Sequence, residues 1–358
     1  MFSDERPSDY SLTPHLSPLT PHPSPLTSHP HPSPSPLTLA PHLSTLNTQH
    51  STFNMQPFKV HILGCGSAKP TARHFASSQV VEVRGKLFLV DCAEGTQIQL
   101  RRSHIGFSKI GAVFISHLHG DHCFGLMGMI NSFGLLDRTA ALHIYAPANG
   151  ENIFHQLMDM FCPQPGYEVV FHPVDTTVEA VIYEDRSLTV TTIPLEHRVP
   201  CCGFLFREKA TYPHINKEMV AFYQIPYSQI NNIKAGADWT MDDGTVVANS
   251  RLVLPADPVR AYAYCSDTKY LPHLHERLKD VDLLYHESTY GDDKLDNASK
   301  YCHSTARQAA MVARDAGVKR LMLGHYSARY TDESVLLRQA QEIFPDTILS
   351  DEGLTVDV

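Results

Sequence analysis

Residues 115–122 read Ile115-Ser116-His117-Leu118-His119-Gly120-Asp121-His122. Three imidazoles and a carboxylate stand together directly behind the apolar run Ala112-Val113-Phe114-Ile115. That order describes ligands presented at the end of a buried strand. In an extended segment alternate side chains share a side, so His117 and His119 can reach one ion. Asp121 and His122, past the flexible Gly120, can turn toward a second. Imidazole nitrogen and carboxylate oxygen suit zinc best, with manganese, iron or cobalt as alternatives.

The same arrangement recurs downstream, an apolar run followed at once by a metal-binding residue type. Leu188 to Leu195 leads to Glu196-His197, and Ala261 to Cys265 leads to Ser266-Asp267-Thr268. Val281 to Tyr285 leads to His286-Glu287-Ser288-Thr289, and Arg320 to Leu323 leads to Gly324-His325-Tyr326-Ser327. Taken singly, His197 or His325 reads as a hydrogen-bonded histidine and Asp267 as a turn cap. Neighbouring strands end close together, so their joint occurrence points to one shared metal site.

Upstream, Phe58 to Leu63 reads as a strand followed by the permissive turn Gly64-Cys65-Gly66. Gln79 to Val83 and Lys86 to Asp91 read as a hairpin around Arg84-Gly85. A short helix is expected over 96–102, a buried helix over 124–136 and another over 304–315. Strands alternating with helices in two successive halves predict an α/β chain with two sheets packed inside helical layers.

The 358 residues are 42% hydrophobic and 19% charged, values of a globular protein with a sizeable core. No apolar run approaches the ~18 residues of a membrane helix, so no span is expected. Eight cysteines lie scattered without a CxxC pair, which suggests a reducing, cytoplasmic setting. Cys92, Cys123 and Cys265 sit in or beside apolar runs and are expected to pack as small hydrophobes. The formal charge of −9 does not advertise a nucleic-acid binder, so any such partner requires a local basic patch.

Residues 1–54 differ from all that follows. They hold 11 of the 25 prolines and 6 of the 22 histidines, in loose Ser-Pro-Leu-Thr and Pro-His repeats. Such a stretch cannot bury enough apolar surface to offset its ordering entropy and is expected to be disordered. It has neither the apolar centre of a secretory signal nor the Arg-rich amphipathic character of a transit peptide. Met55 directly precedes the first strand-like run, which suggests a native chain of 55–358.

These residues carry a resemblance to the metallo-β-lactamase fold, and within it to the ribonuclease Z family. Asp91-Cys92-Ala93-Glu94-Gly95-Thr96-Gln97 resembles the family's DCGEGTQ stretch. SHLHGDHCFG (116–125) resembles its signature nearly residue for residue. Glu196-His197-Arg198, Ser266-Asp267-Thr268, His286-Glu287-Ser288-Thr289, His303-Ser304-Thr305-Ala306 and Gly324-His325-Tyr326-Ser327-Ala328-Arg329-Tyr330 follow in the family's order. The histidine motif alone marks only the superfamily; the combination is far more specific.

The resemblance implies a four-layer αββα sandwich that binds two zinc ions per subunit. His117, His119 and His197 would hold one ion, Asp121, His122 and His325 the other, and Asp267 would bridge. It implies Asp121 as proton acceptor for the attacking water and His303 as proton donor to the leaving 3′ oxygen, oriented by Glu287. His303 alone also reads as a capping or core histidine. Asp91 and Glu94 read equally as groups fixing the ligand imidazoles and as turn and helix-start residues.

The expected reaction is endonucleolytic removal of the 3′ trailer from precursor tRNA, leaving a 3′-hydroxyl on the tRNA. The expected assembly is a homodimer in which one subunit's arm serves the other's active site. The alternative is a hydrolase of small phosphodiesters or sulfate esters on the same fold. The candidate arm is 207–255, where the bases Arg207, Lys209, Lys217, Lys234 and Arg251 are matched in number by acids, and the family's Gly-Pro is missing. Ile233-Lys234-Ala235-Gly236 resembles what normally follows that Gly-Pro, which makes Lys234 a candidate tRNA contact. Pro70-Thr71-Ala72-Arg73-His74-Phe75 stands where the family often shows Pro-x-x-x-Arg-Asn, making Arg73 and His74 candidate phosphate contacts, with Lys69 beside them.

Overall fold

In the strand Lys86–Val90, Leu87 and Leu89 fall in one apolar cluster while Phe88 and Val90 fall in another. Period-two alternation therefore sends successive side chains to two different cores, as a sheet covered on both faces requires. The strand Ile110–Phe114 divides likewise, Ile110 and Val113 to one side, Ala112 and Phe114 to the other. A computed structural model provides the coordinates and describes residues 55–69 and 71–358. The expectation of disorder over 1–54 lies outside the described residues.

Two seven-stranded sheets form the centre. The first runs, edge to edge, Thr355–Asp357, Phe58–Gly64, Ser78–Val83, Lys86–Val90, Ile110–Phe114, Leu142–Pro147 and Val169–Val174. The second runs Thr347–Leu349, Arg320–Gly324, Leu283–Glu287, Ala261–Cys265, Cys202–Glu208, Leu188–Pro194 and Val181–Glu184. Both are mixed, with parallel pairing from Lys86–Val90 to Val169–Val174 in one and from Ala261–Cys265 to Thr347–Leu349 in the other.

The inner faces meet through aromatic rings. Phe114 stacks on Tyr145 at 4.8 Å and tilts against Phe204 of the other sheet at 5.5 Å. The outer face of the first sheet is covered by Leu126–Leu135 and Glu151–Phe161, that of the second by Ala306–Ala316 and Ser334–Gln341. This is the αββα sandwich expected.

Several local expectations shift. The helix expected over 124–136 begins at Leu126 and buries one face only, Leu126, Met129, Ile130 and Phe133; Phe124 and Leu135 are exposed. The strand expected to stop at Tyr285 continues through His286 and Glu287. Alternation then puts these two on opposite faces of the sheet, so His286 is buried away from its neighbour's partners. The helix expected over 304–315 is Ala306–Ala316, started by a capping box between Thr305 and Gln308.

The inserted segment also begins later than 207, because Arg207 and Glu208 belong to the strand Cys202–Glu208. Arg207 donates to the carbonyls of Lys279 and Asp280 within the main body. Between this strand and Ala261–Cys265 lies a small module with its own core of Ile225, Ile233, Val247 and Leu252. Short helices Lys217–Phe222, Ile230–Lys234 and Asn249–Leu252 and two two-stranded ribbons surround that core.

Candidate metal centre

The parallel strands Ile110–Phe114, Ala261–Cys265, Leu283–Glu287 and Arg320–Gly324 each deliver polar residues at or just past their carboxyl ends, and these meet in a cleft of about 510 Å³. Strand hydrogen bonding must end there so that the chain can turn the ligands inward. Asp91, Asp267 and His325 do this at φ of 56°, 49° and 57°. Left-handed backbone is uncommon for residues other than glycine.

His117 Nε2 lies 3.0 Å from His119 Nδ1, which lies 3.3 Å from His197 Nε2. Asp267 Oδ2 completes this group at 3.5 Å from His117 Nε2 and 3.6 Å from His197 Nε2. On the other side His122 Nε2 and His325 Nε2 are 3.3 Å apart, with Asp121 Oδ2 at 3.7 and 3.6 Å from them. Asp267 Oδ1 lies 3.2 Å from His122 Nε2 and 3.0 Å from His325 Nε2. One oxygen of Asp267 therefore faces each group.

Four of the remaining ring nitrogens are committed elsewhere. His122 Nδ1 donates to Asp91 Oδ2 at 2.7 Å, and His197 Nδ1 donates to the Cys302 carbonyl at 2.9 Å. His117 Nδ1 donates to Ser116 Oγ at 3.0 Å, which itself donates to Asp91. His325 Nδ1 donates to Thr289 Oγ1 at 2.9 Å. These partners orient the rings and turn their other nitrogens toward one another and toward the oxygens of Asp121 and Asp267. Imidazole nitrogens and carboxylate oxygens converging in this way are the donor set of a metal pair.

Burial holds His117 well below the ordinary histidine range, in the neutral form a metal requires. Burial would do the same to His122, but the flanking carboxylates of Asp267 and Asp91 raise it well above that range.

Asp91 accepts from Ser116 N, Ser116 Oγ, His122 Nδ1 and Tyr264 OH. The two readings left open are thereby separated. Asp91 orients the imidazoles of His122, directly, and His117, through Ser116, whereas Glu94 is exposed on the cleft wall. The backbone of Ala68, at φ 60°, donates to Asp121 Oδ2 at 2.7 Å.

Beside the nest stands a second constellation. Glu287 is fully buried and accepts from Thr268 N, Thr289 N, Thr289 Oγ1 and His303 Nδ1, the last at 2.8 Å. Burial alone would lower His303, but the Glu287 carboxylate raises it to about 9. Its Nε2 is left for the cleft that the ring lines. Thr289 has a place that residue-type reasoning missed. Its hydroxyl lies 2.6 Å from Glu287, 2.9 Å from His325 and 3.3 Å from His303, and a threonine two residues after a strand-end glutamate was the only signal.

Arg73 and His74, the expected phosphate contacts, make internal pairs. Arg73 binds Glu333 and the Thr331 carbonyl. His74 is buried, with Nδ1 2.9 Å from Glu352 and Nε2 3.4 Å from Glu333, and the hydrogen bond to Glu352 raises it from the usual histidine range. These carboxylates were distant in sequence and invisible to a local reading. Lys234 is half-buried in the inserted module, beside a depression that Arg186 and Tyr212 also line.

Comparison with known proteins agrees with this architecture. Residues 58–214 match the family described as anti-Pycsar protein Apyc1, and residues 228–326 match the β-lactamase superfamily domain. Ribonuclease Z of Bacteroides fragilis (strain YCH46) is 55% identical over 304 residues, 85% of this chain and 100% of that protein. Ribonuclease Z of Porphyromonas gingivalis (strain ATCC BAA-308 / W83) is 46% identical over the same shares. Human tRNase Z, short form, superposes with a TM-score of 0.60 at 24% identity, covering 83% of this chain and 98% of that one. At that identity the structural likeness speaks for the fold.

Proposed function

The chain belongs to the ribonuclease Z family on the metallo-β-lactamase fold, and from that premise we propose that it removes the 3′ trailer from precursor tRNA with two zinc ions per subunit. It is a metal-dependent endoribonuclease that acts on phosphodiester bonds in tRNA 3′ processing. The observation that carries the chemistry is the placement of the Glu287–His303 pair, 2.8 Å apart, beside two ligand groups that share Asp267.

His117, His119 and His197 would hold one zinc, Asp121, His122 and His325 the other, with Asp267 between them. Cations held there supply the Lewis acidity that neutralises the phosphodiester and makes water a nucleophile near neutral pH. Asp121, held by the Ala68 amide, accepts the proton of the attacking water. His303, protonated and steadied by Glu287, gives its proton to the leaving 3′ oxygen, which yields the 3′-hydroxyl on the tRNA and a 5′-phosphate on the trailer.

The inserted module at 209–259 is assigned as the tRNA-gripping arm, with Lys234 as a backbone contact. A homodimer is supported by a groove of about 550 Å³ lined by Leu118, Phe124, Ile153, Phe154 and Phe161, with Phe124, Ile153 and Phe161 exposed. All eight cysteines are free, which supports a reducing compartment such as the cytoplasm. Among the described residues no helix is long and apolar enough to cross a membrane.

Zinc-loaded protein incubated with precursor tRNA and with bis-p-nitrophenyl phosphate tests this reading. The expected result is a kcat/KM higher by orders of magnitude on the tRNA, with a 3′-hydroxyl at the cut. Comparable efficiency on the small diester would favour a general phosphodiesterase.

A further inference from the structure

Arg198 follows the ligand His197 and stands exposed on the rim of the catalytic cleft. Among the described residues lining that cleft it is the only lysine or arginine. Its neighbours Glu196 and Lys269 pair with each other, and among the described residues Arg198 has no ion-pair or hydrogen-bond partner. The ring of the adjacent His197 lies 5.0 Å from that of His303, and both line the cleft together with Arg198.

An arginine at the mouth of a substrate cleft, with no carboxylate to hold it, keeps its planar fork available for phosphate oxygens. Its side of the cleft is defined by His303. That residue serves the leaving 3′ oxygen, so the nucleotide retained on the tRNA lies on the His303 side. The scissile phosphate itself belongs to the Asp267-centred nest. The group within reach of a rim cation beside His303 is the next phosphate along the retained strand.

Resting on the endonuclease reading above, we propose that Arg198 binds the phosphate immediately 5′ of the scissile one and so sets the register of the RNA strand in the cleft. A cation at that point also answers how an acidic chain receives a polyanion: the basic contact is local. The contact is sequence-independent, as phosphate recognition is, and therefore positions without selecting the base.

The test uses the metal-loaded protein and two precursor tRNAs, one natural and one carrying a neutral methylphosphonate in place of that single phosphate. On the natural substrate Arg198→Ala is expected to lower kcat/KM about 10- to 100-fold, the scale of a lost hydrogen bond to a charged group. The slope of log(kcat/KM) against log[salt] should become shallower by about 0.7, as for one phosphate contact on a single strand. On the methylphosphonate substrate the wild type should fall to the variant's level and the variant should lose nothing further. R198K should lie between.

An equal fold-loss on both substrates, or an unchanged salt slope, overturns the proposal. Because His197 is adjacent, metal content is measured throughout; if Arg198→Ala loses metal, R198K and R198Q with wild-type metal content carry the same comparison. A wild type that cleaves neither substrate would defeat the endonuclease reading. Cleavage of both with an arginine effect indifferent to the methylphosphonate would defeat the Arg198 assignment alone.

Discussion

Asp91 Oδ2 accepts a 2.7 Å hydrogen bond from His122 Nδ1, so a buried carboxylate behind the nest decides which nitrogen of His122 looks into it. Asp91→Asn keeps the shape but offers an amide NH₂ or a weaker acceptor to that imidazole. Metal affinity at the Asp121, His122, His325 group should fall about 10- to 100-fold. Competition with a chelator of known affinity reads the change, and unchanged affinity would deny Asp91 an orienting role.

On the proposed mechanism His303→Asn removes the proton donor and leaves the metal-facing side chains in place. Turnover on precursor tRNA should drop by roughly 10² to 10⁴ while metal content stays at the wild-type value. Because the Glu287 carboxylate raises His303 to about 9, a donor at this position would be protonated at neutral pH, and activity should fall as pH rises through that region. The alkaline limb should vanish from the residual activity of His303→Asn. Loss of metal in that variant would make His303 a ligand instead.

Metal binding should release protons. His122 carries a raised affinity for its proton in the metal-free nest, and a cation that takes Nε2 must displace that proton. Calorimetric titration of metal-stripped protein with zinc, in buffers of different ionisation enthalpy, counts the protons. Apparent affinity should strengthen with rising pH through the neutral range, and a proton count of zero would contradict the electrostatics described above.

The pair formed by buried His74 and partly buried Glu352 should contribute stability within a pH window. The hydrogen bond to Glu352 raises His74, so its contribution is complete below the unfolded histidine pKa and disappears as pH rises through the folded one. For Glu352, burial opposes ionisation but the bond from His74 lowers its pKa overall, so its share is lost as pH falls through the folded carboxylate value. Thermal unfolding of wild type and Glu352→Gln should differ most in mildly acidic solution and converge at alkaline pH. A constant gap across that range would show that the pair does not titrate as a unit.

Gly125 closes the histidine motif against the turn that carries Asp91. A Cβ there would lie 2.0 Å from the Ala93 carbonyl oxygen and 3.0 Å from that of Cys92, and neither backbone group can yield without moving Asp91. Gly125→Ala should therefore lower stability by about 1–3 kcal/mol, the usual cost of overpacking, and weaken metal binding with it. Denaturant unfolding and metal content measured on the same sample separate the two effects.

Much of this arrangement was legible in local sequence because imidazoles and carboxylates placed directly after buried strands stand out, and the structure brings them together. His117 to His122 follow a run of apolar residues, and His197, Asp267 and His325 each repeat that grammar. The helix 96–102 and the strand 261–265 stand where periodicity puts them. The assignments that moved were those decided by tertiary contact. Arg73 and His74 read as free cations because Glu333 and Glu352 are far away in the chain. The strand reaching Glu287 extends past its apolar run because Thr268, Thr289 and His303 satisfy a buried carboxylate there, which no propensity reports. Arg207 reads as part of an insertion although its backbone belongs to a sheet.

Asp91, Asp267 and His325 adopt left-handed backbone at the point where each strand stops, and surrounding hydrogen bonds hold them there. Conformations of this kind cost of order 1–3 kcal/mol each and persist only where the neighbouring structure overdetermines them. That cost is met by the two packed sheets, so a change deep in the core, far from the cleft, can shift the turns at 91, 267 and 325 and pull the nest apart without touching one of its side chains.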